Sequence, residues 1–188
     1  MYLKYLNALN DISSLSEKSK KQISDFLTLK KVARDNLLLK QGEVCKHIYF
    51  VNRGFLRIFY YKKGKEITEW FTPEKHFCFS IISYFQHVPS KLIIEALEDS
   101  EIICFSKDGL DKLIKTNLEV SNLFIKLLSG SLILSQIRMD SVQFETALQR
   151  YKRLIEFNPE ILQKVPLQHI ASYLGITSET LSRIRNQV

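Results

Sequence analysis

Cysteine and histidine are scarce and scattered in this chain. Cys45, Cys78 and Cys104 form no C-x-x-C pair, and with His47, His76, His87 and His169 they give none of the spacings that close a tetrahedral zinc centre. An H-E-x-x-H motif is missing, as is a His pair one helical turn apart, so neither a metal nor a cofactor is expected, and the three thiols are expected to be buried and reduced. The first residues, Met1 to Asn7, lack a charged region followed by an apolar stretch. No uninterrupted run of about 18 apolar residues occurs anywhere, and the expectation is a cytoplasmic protein without a membrane partner.

What is present is an ordinary globular composition. The 188 residues are 45% hydrophobic, enough for the core of one mid-sized domain or of two small ones. Lys and Arg number 27 against 20 Asp and Glu, a formal net charge of +7 that favours polyanionic partners such as nucleic acid.

The apolar period changes along the chain. From about Asn7 to Leu29 the positions Leu9, Ile12, Leu15, Ile23, Phe26 and Leu27 predict an entry helix or helix pair, with a break near Ser13 and Ser14. From Val32 short strand-like runs follow: Leu37–Leu39, Ile48–Val51, Phe55–Tyr61, Glu66–Phe71, Leu92–Leu97 and Ile102–Phe105. Turn signals at Gln41-Gly42-Glu43, Asn52-Arg53-Gly54 and Lys62-Lys63-Gly64-Lys65 separate them, which predicts an antiparallel β-roll of the jelly-roll kind. These strands supply no His cluster and no paired inward carboxylates, so an enzyme of the cupin type is disfavoured and no catalytic residue is expected.

After Phe105 the helical period returns, with a start at Ser106-Lys107-Asp108. A longer helix over about 118–141 carries Val120, Phe124, Leu127, Ser131, Leu134 and Arg138 at alternating four- and three-residue steps. Its apolar stripe is wider than a solvent-facing helix needs. Such a helix either lies on the roll or also pairs with its twin in a second chain. Gln143 to Phe157 predicts a further helix, stopped by Asn158-Pro159.

The segment from Leu167 to Ile184 is the most specific part of the sequence. Ile170, Leu174, Ile176, Leu181 and Ile184 form an apolar wedge between two short helices, and Ala171 is small where the second helix crosses the first. Gly175 suits a turn at positive φ, Thr177 or Ser178 can cap the second helix, and Pro166 suits the start of the first. This is a helix-turn-helix, and the residues expected to meet DNA are Thr177, Ser178, Glu179, Thr180, Ser182, Arg183 and Arg185. Arg183 can form a bidentate pair with guanine and Glu179 can accept from a cytosine amino group. Arg150, Lys152 and Arg153 are expected on phosphates or in solvent.

A β-roll, a long helix and a helix-turn-helix in this order, with Gly42-Glu43, Gly54 and the run Ile94 to Glu101 in place, resembles the CRP/FNR family of transcription regulators. The resemblance covers nearly the whole chain. It implies an α+β fold with a sensor segment 1–116, a dimerisation helix 117–141 and a DNA-binding segment 142–188. It also implies a homodimer on a palindromic operator, RNA polymerase as a further partner, and base reading by Glu179 and Arg183. An Arg often found just before that Glu is Ser178 here. Members that bind cyclic AMP carry Gly-Glu and Arg-Ser in a phosphate-binding cassette; Cys78-Phe79 and Ser90-Lys91 stand in those places. Lys91 lacks the fork of an arginine and Phe79 cannot accept from a ribose, so the effector, if there is one, is expected not to be cyclic AMP. Trp70, Phe77, Cys78, Phe79, Ser90 and Lys91 would line the corresponding pocket, either filled by its own side chains or reshaped for an apolar effector. The family's cluster of N-terminal cysteines for iron and sulfur is not matched. A β-hairpin wing is usual after the recognition helix, whereas this sequence ends at Val188. Either the wing is absent or it lies beyond this sequence; without it, fewer phosphate contacts, a lower affinity and a weaker salt dependence are expected.

Overall fold

The computed structural model describes residues 2–186. Met1, Gln187 and Val188, the outermost positions of the expected sensor and DNA-binding segments, lie outside them.

Two helices lead into the roll, α1 (Leu3–Ile12) and α2 (Glu17–Ser24), and the chain extends between them at Ser13. Ser16 caps α2 by accepting the Ser19 amide. The expected helical segment ends earlier than Leu29, because the chain is already a strand from Leu27. Strand β1 (Leu27–Val32) pairs along its whole length with β8 (Ser100–Ser106), from Leu27 opposite Phe105 to Val32 opposite Ser100. Leu27 and Leu29 fit either period, and the six-residue ladder to β8 decides between them.

The other strands are β2 (Leu37–Leu39), β3 (His47–Arg53), β4 (Leu56–Lys62), β5 (Lys65–Thr72), β6 (Phe77–Cys78) and β7 (Ile93–Ala96). They form two four-stranded antiparallel sheets, ordered β1-β8-β3-β6 and β2-β7-β4-β5. Phe50, Leu56, Ile58, Ile94, Ile102 and Ile103 are buried in the roll core, where Tyr5 and Leu9 of α1 join them. Lys63 and Gly64 both take positive φ in the two-residue loop between β4 and β5, which suits the right-handed twist of a hairpin. A short helix, α3 (Ile81–Gln86), and the two-residue β6 lie between β5 and β7. Neither is long enough to show a period, and neither was expected. The three cysteines are free and buried, as expected.

Helix α4 (Lys107–Thr116) is capped by Ser106 and leads into α5 (Leu118–Phe144). Val120 and Leu123 at the start of α5 pack into the roll core. Farther along, Leu132, Ile133, Leu134, Ile137, Met139, Val142 and Phe144 are exposed. By length and composition α5 is apolar enough to cross a membrane. Searching for an unbroken apolar run misses this, because Ser129, Gly130, Ser131 and Ser135 interrupt it.

The helix expected from Gln143 begins only at Ala147. Gln143 and Phe144 close α5, and Glu145 is extended. Thr146 then opens α6 (Ala147–Phe157) with a capping box, in which Thr146 and Gln149 each satisfy the other's backbone amide. Helices α7 (Ile161–Lys164), α8 (Leu167–Leu174) and α9 (Ser178–Arg185) complete the described chain. Tyr151, Leu154, Ile161, Val165, Ile170, Ala171, Leu174, Leu181 and Ile184 form a second core, which also takes in Phe55 and Leu97 from the roll.

Candidate functional site

The turn between α8 and α9 is built by backbone bonds. Gly175 sits at φ +69°, its amide donates to the Ser172 carbonyl at 3.1 Å, and the Ile176 amide donates to the Ala171 carbonyl at 3.0 Å. This pair of bonds is a Schellman motif, which closes α8 and turns the chain sharply. Thr177 then caps α9 by accepting the Thr180 amide at 3.3 Å. Leu181 and Ile184 point into the second core, while Ser178, Glu179, Ser182, Arg183 and Arg185 are exposed and Thr180 is half-buried. The expected reading residues therefore share one outward face. Glu179 and Arg183 stand four apart and are neighbours on it. A hydrogen bond from Thr177 and the backbone amide of Glu179 itself hold the Glu179 carboxyl below its ordinary value, so it is an acceptor at neutral pH. Among the described residues no carboxylate pairs with Arg183 or Arg185.

Arg150 and Arg153, expected on phosphates or in solvent, are half-buried and bonded within the protein. Arg150 donates from Nε to the Leu174 carbonyl at 3.0 Å and from Nη1 to the Glu145 carbonyl, and Arg153 pairs with the Glu145 carboxylate. Two arginines thus tie the end of α8 and the break before α6 together. Lys152 is exposed.

Among the described residues, those expected around an effector meet different neighbours. Phe77 packs against Tyr5 and Phe50, with ring centroids 5.8 and 4.9 Å away. Phe79 turns instead toward Tyr84 and Phe85, at 5.2 and 6.2 Å. Cys78 is buried opposite Tyr49 of β3, and burial pushes its thiol up to about 12, which keeps it protonated and unreactive. Ser90 is buried, bonded to the Ser80 hydroxyl at 2.9 Å and the Leu92 carbonyl at 2.8 Å. Trp70 packs on the roll core from β5, on the other sheet, and Lys91 is exposed. A cavity of about 10 Å³ lies between α1, α5 and the roll, lined by Tyr5, Leu9, Phe77, Val120 and Leu123 among others. That is room for one water at most. Among the described residues no group of three or more His, Cys, Asp and Glu could hold a metal ion.

A group that sequence reasoning missed lies where α8 meets the outer face of the β2-β7-β4-β5 sheet. Arg57 on β4 donates from Nε to Thr68 at 3.0 Å, and from Nη1 to Glu66 and Glu95 at 2.8 Å each. Its guanidinium lies 4.2 Å from the centroid of the Phe59 ring. His169 of α8 approaches the same Nη1 with Nε2 at 3.3 Å. Ser172 of α8 accepts the Thr68 amide at 2.9 Å and donates to the Glu66 carbonyl at 3.0 Å. Tyr173 packs against Phe71 of β5 with ring centroids 5.2 Å apart, and the Arg138 guanidinium of α5 lies 3.9 Å over the Tyr173 ring. The sequence did carry one signal, an arginine set between Leu56 and Ile58 in an otherwise apolar strand.

Residues 29–117 match the family profile described as the cyclic nucleotide-binding domain. No curated protein matches the sequence significantly. FixK2 from Bradyrhizobium japonicum superposes with a TM-score of 0.70 at 20% identity, over 86% of this chain and 83% of that one. A protein from Eubacterium rectale assigned to the crp/fnr family of transcriptional regulators gives a TM-score of 0.71 at 20% identity, over 92% and 83%. The Catabolite Activator Protein of Thermus thermophilus gives 0.60 at 19% identity, over 96% and 85%.

Proposed function

From the fold it shares with the CRP/FNR-type regulators, we propose that this chain is a cytoplasmic, non-enzymatic transcription regulator that grips a palindromic operator as a homodimer. The single observation that carries the reading is the outward face of α9, where Glu179, Ser182, Arg183 and Arg185 stand free of the core behind a rigid Gly175 turn. In this reading segment 142–188 is the DNA reader, 117–141 the dimerisation helix and 1–116 the sensor segment. A pair of recognition helices related by a twofold axis reads half-sites about one helical turn of DNA apart. Thr177, Ser178 and Thr180 at the start of α9 suit phosphate or base edges, and the helix N-terminus adds its own attraction for phosphate. The exposed apolar length of α5 from Leu132 to Phe144 supports pairing with a second copy, since so much apolar surface is rarely left in water. RNA polymerase is the partner such a regulator would engage.

The effector in this reading is either absent or something other than cyclic AMP. In sequence, Phe79 stands where the resemblance puts the ribose acceptor, and its ring packs against Tyr84 and Phe85. The match of residues 29–117 to the cyclic nucleotide-binding domain favours a second reading, a regulator responsive to a cyclic nucleotide. Selection of binding sites from random duplexes, followed by fluorescence anisotropy, tests the first reading. No preference for any selected duplex over random DNA would overturn it. A raised thermal midpoint with a cyclic nucleotide would favour the second.

A further inference from the structure

The contact between α8 and the roll is more than packing. Arg57 lies on the face of β4 that looks away from the roll core, yet it is only 1% exposed, because α8 covers it. Its Nη2 is buried without a partner. A guanidinium can only donate hydrogen bonds, so the 3.3 Å approach of His169 requires a lone pair on Nε2 and hence a neutral imidazole. The charged groups facing His169 are Arg57 from β4, Glu66 from β5 and Glu95 from β7, with Tyr61 reaching Glu66 at 3.4 Å. Both carboxylates already bind Arg57. A proton on His169 would convert an accepted hydrogen bond into two cations in contact at a half-buried site.

We propose that α8 is a proton-sensitive latch: neutral His169 holds the DNA reader on the outer face of its own roll, and protonated His169 releases it, so proton concentration sets the pose of α9 relative to α5. The apolar contacts of Phe55, Leu97, Phe71 and Tyr173 and the two Ser172 bonds supply the bulk of the docking. His169 supplies the switch. Burial, then Arg57, hold its imidazole below the ordinary value, and Glu66 offsets only part of that. The docked state therefore binds its proton more weakly than the released state. Docking is at full strength above the free imidazole value of about 6.5 and weakens by up to tenfold per pH unit below it, until the docked value is reached.

The test is hydrogen exchange on the full chain between pH 7.5 and 5.5, corrected for intrinsic rates. It reads the amide of Thr68, which is protected by Ser172 of α8, against the amides of 100–106 within the roll. In the wild type, protection of Thr68 is expected to fall by up to about tenfold toward pH 5.5 while 100–106 stay protected. His169→Gln, whose carbonyl accepts from Arg57 but does not titrate, is expected to keep Thr68 protected throughout. His169→Arg is expected to leave Thr68 unprotected at both pH values with 100–106 unchanged. Constant protection in the wild type, an equal fall in His169→Gln, or a matching loss at 100–106 would each overturn the latch.

Discussion

Gly54 stands so close to Ser100 that a β-carbon on it would lie 2.1 Å from the serine hydroxyl oxygen and 2.8 Å from its α-carbon. The backbone there is also at φ +111°, a region that side chains rarely adopt. Gly54→Ala is therefore expected to destabilise the protein by about 2–3 kcal/mol, read as a lowered urea midpoint. Gly64→Ala, at φ +75° with nothing within 4 Å, is expected to cost about 1 kcal/mol. Equal effects would show that the close approach to Ser100 is not what selects glycine.

Arg183→Ala is expected to weaken binding to the selected operator by about 1–3 kcal/mol, roughly 5- to 150-fold, while binding to random duplexes falls little. Arg183→Lys keeps the charge but loses the fork, so it is expected to retain nonspecific affinity and lose discrimination at one base position. Anisotropy titrations at fixed salt read both. A uniform loss across all sequences would assign Arg183 to a phosphate.

Ile137 and Leu134 lie on the exposed stretch of α5. Replacing both by Asp is expected to turn a dimer into a monomer in sedimentation velocity, with the roll still folded. Buried unpaired carboxylates at a helix interface each cost several kcal/mol, enough to raise a micromolar dissociation constant beyond measurement. A dimer that persists would place the interface elsewhere.

Cyclic AMP at millimolar concentration is expected to leave the thermal midpoint within about 1 °C, since a ligand stabilises only by binding the native state. A shift of several degrees would mean that the rings of Phe79, Tyr84 and Phe85 move aside to admit it.

How far the sequence reveals the molecule depends on how many constraints fall within a short stretch. The helix-turn-helix packs a small Ala171, a turning Gly175, a capping Thr177 and five apolar wedges into 18 residues, and each has a local steric reason. The long strands β3, β4 and β8 show themselves through dense apolar content. By contrast β6 and α3 have two and six residues, too few to establish a period. The break at Glu145 rests on a capping box whose Thr146 and Gln149 are ordinary residues in a helical stretch. The docking of α8 was illegible for another reason: Arg57 and His169 are 112 residues apart, and only the fold makes them neighbours.

Phe55 and Leu97 belong by sequence to the roll, yet they finish the core beneath α8. The two halves are therefore not interchangeable parts. A reader grafted from this chain onto a foreign roll would arrive with an unfilled hollow, and a foreign reader placed here would meet two hydrophobic side chains shaped for another guest. Any change to this seam has to be matched by a change on its other side, whereas the exposed face of α9 is free to vary alone.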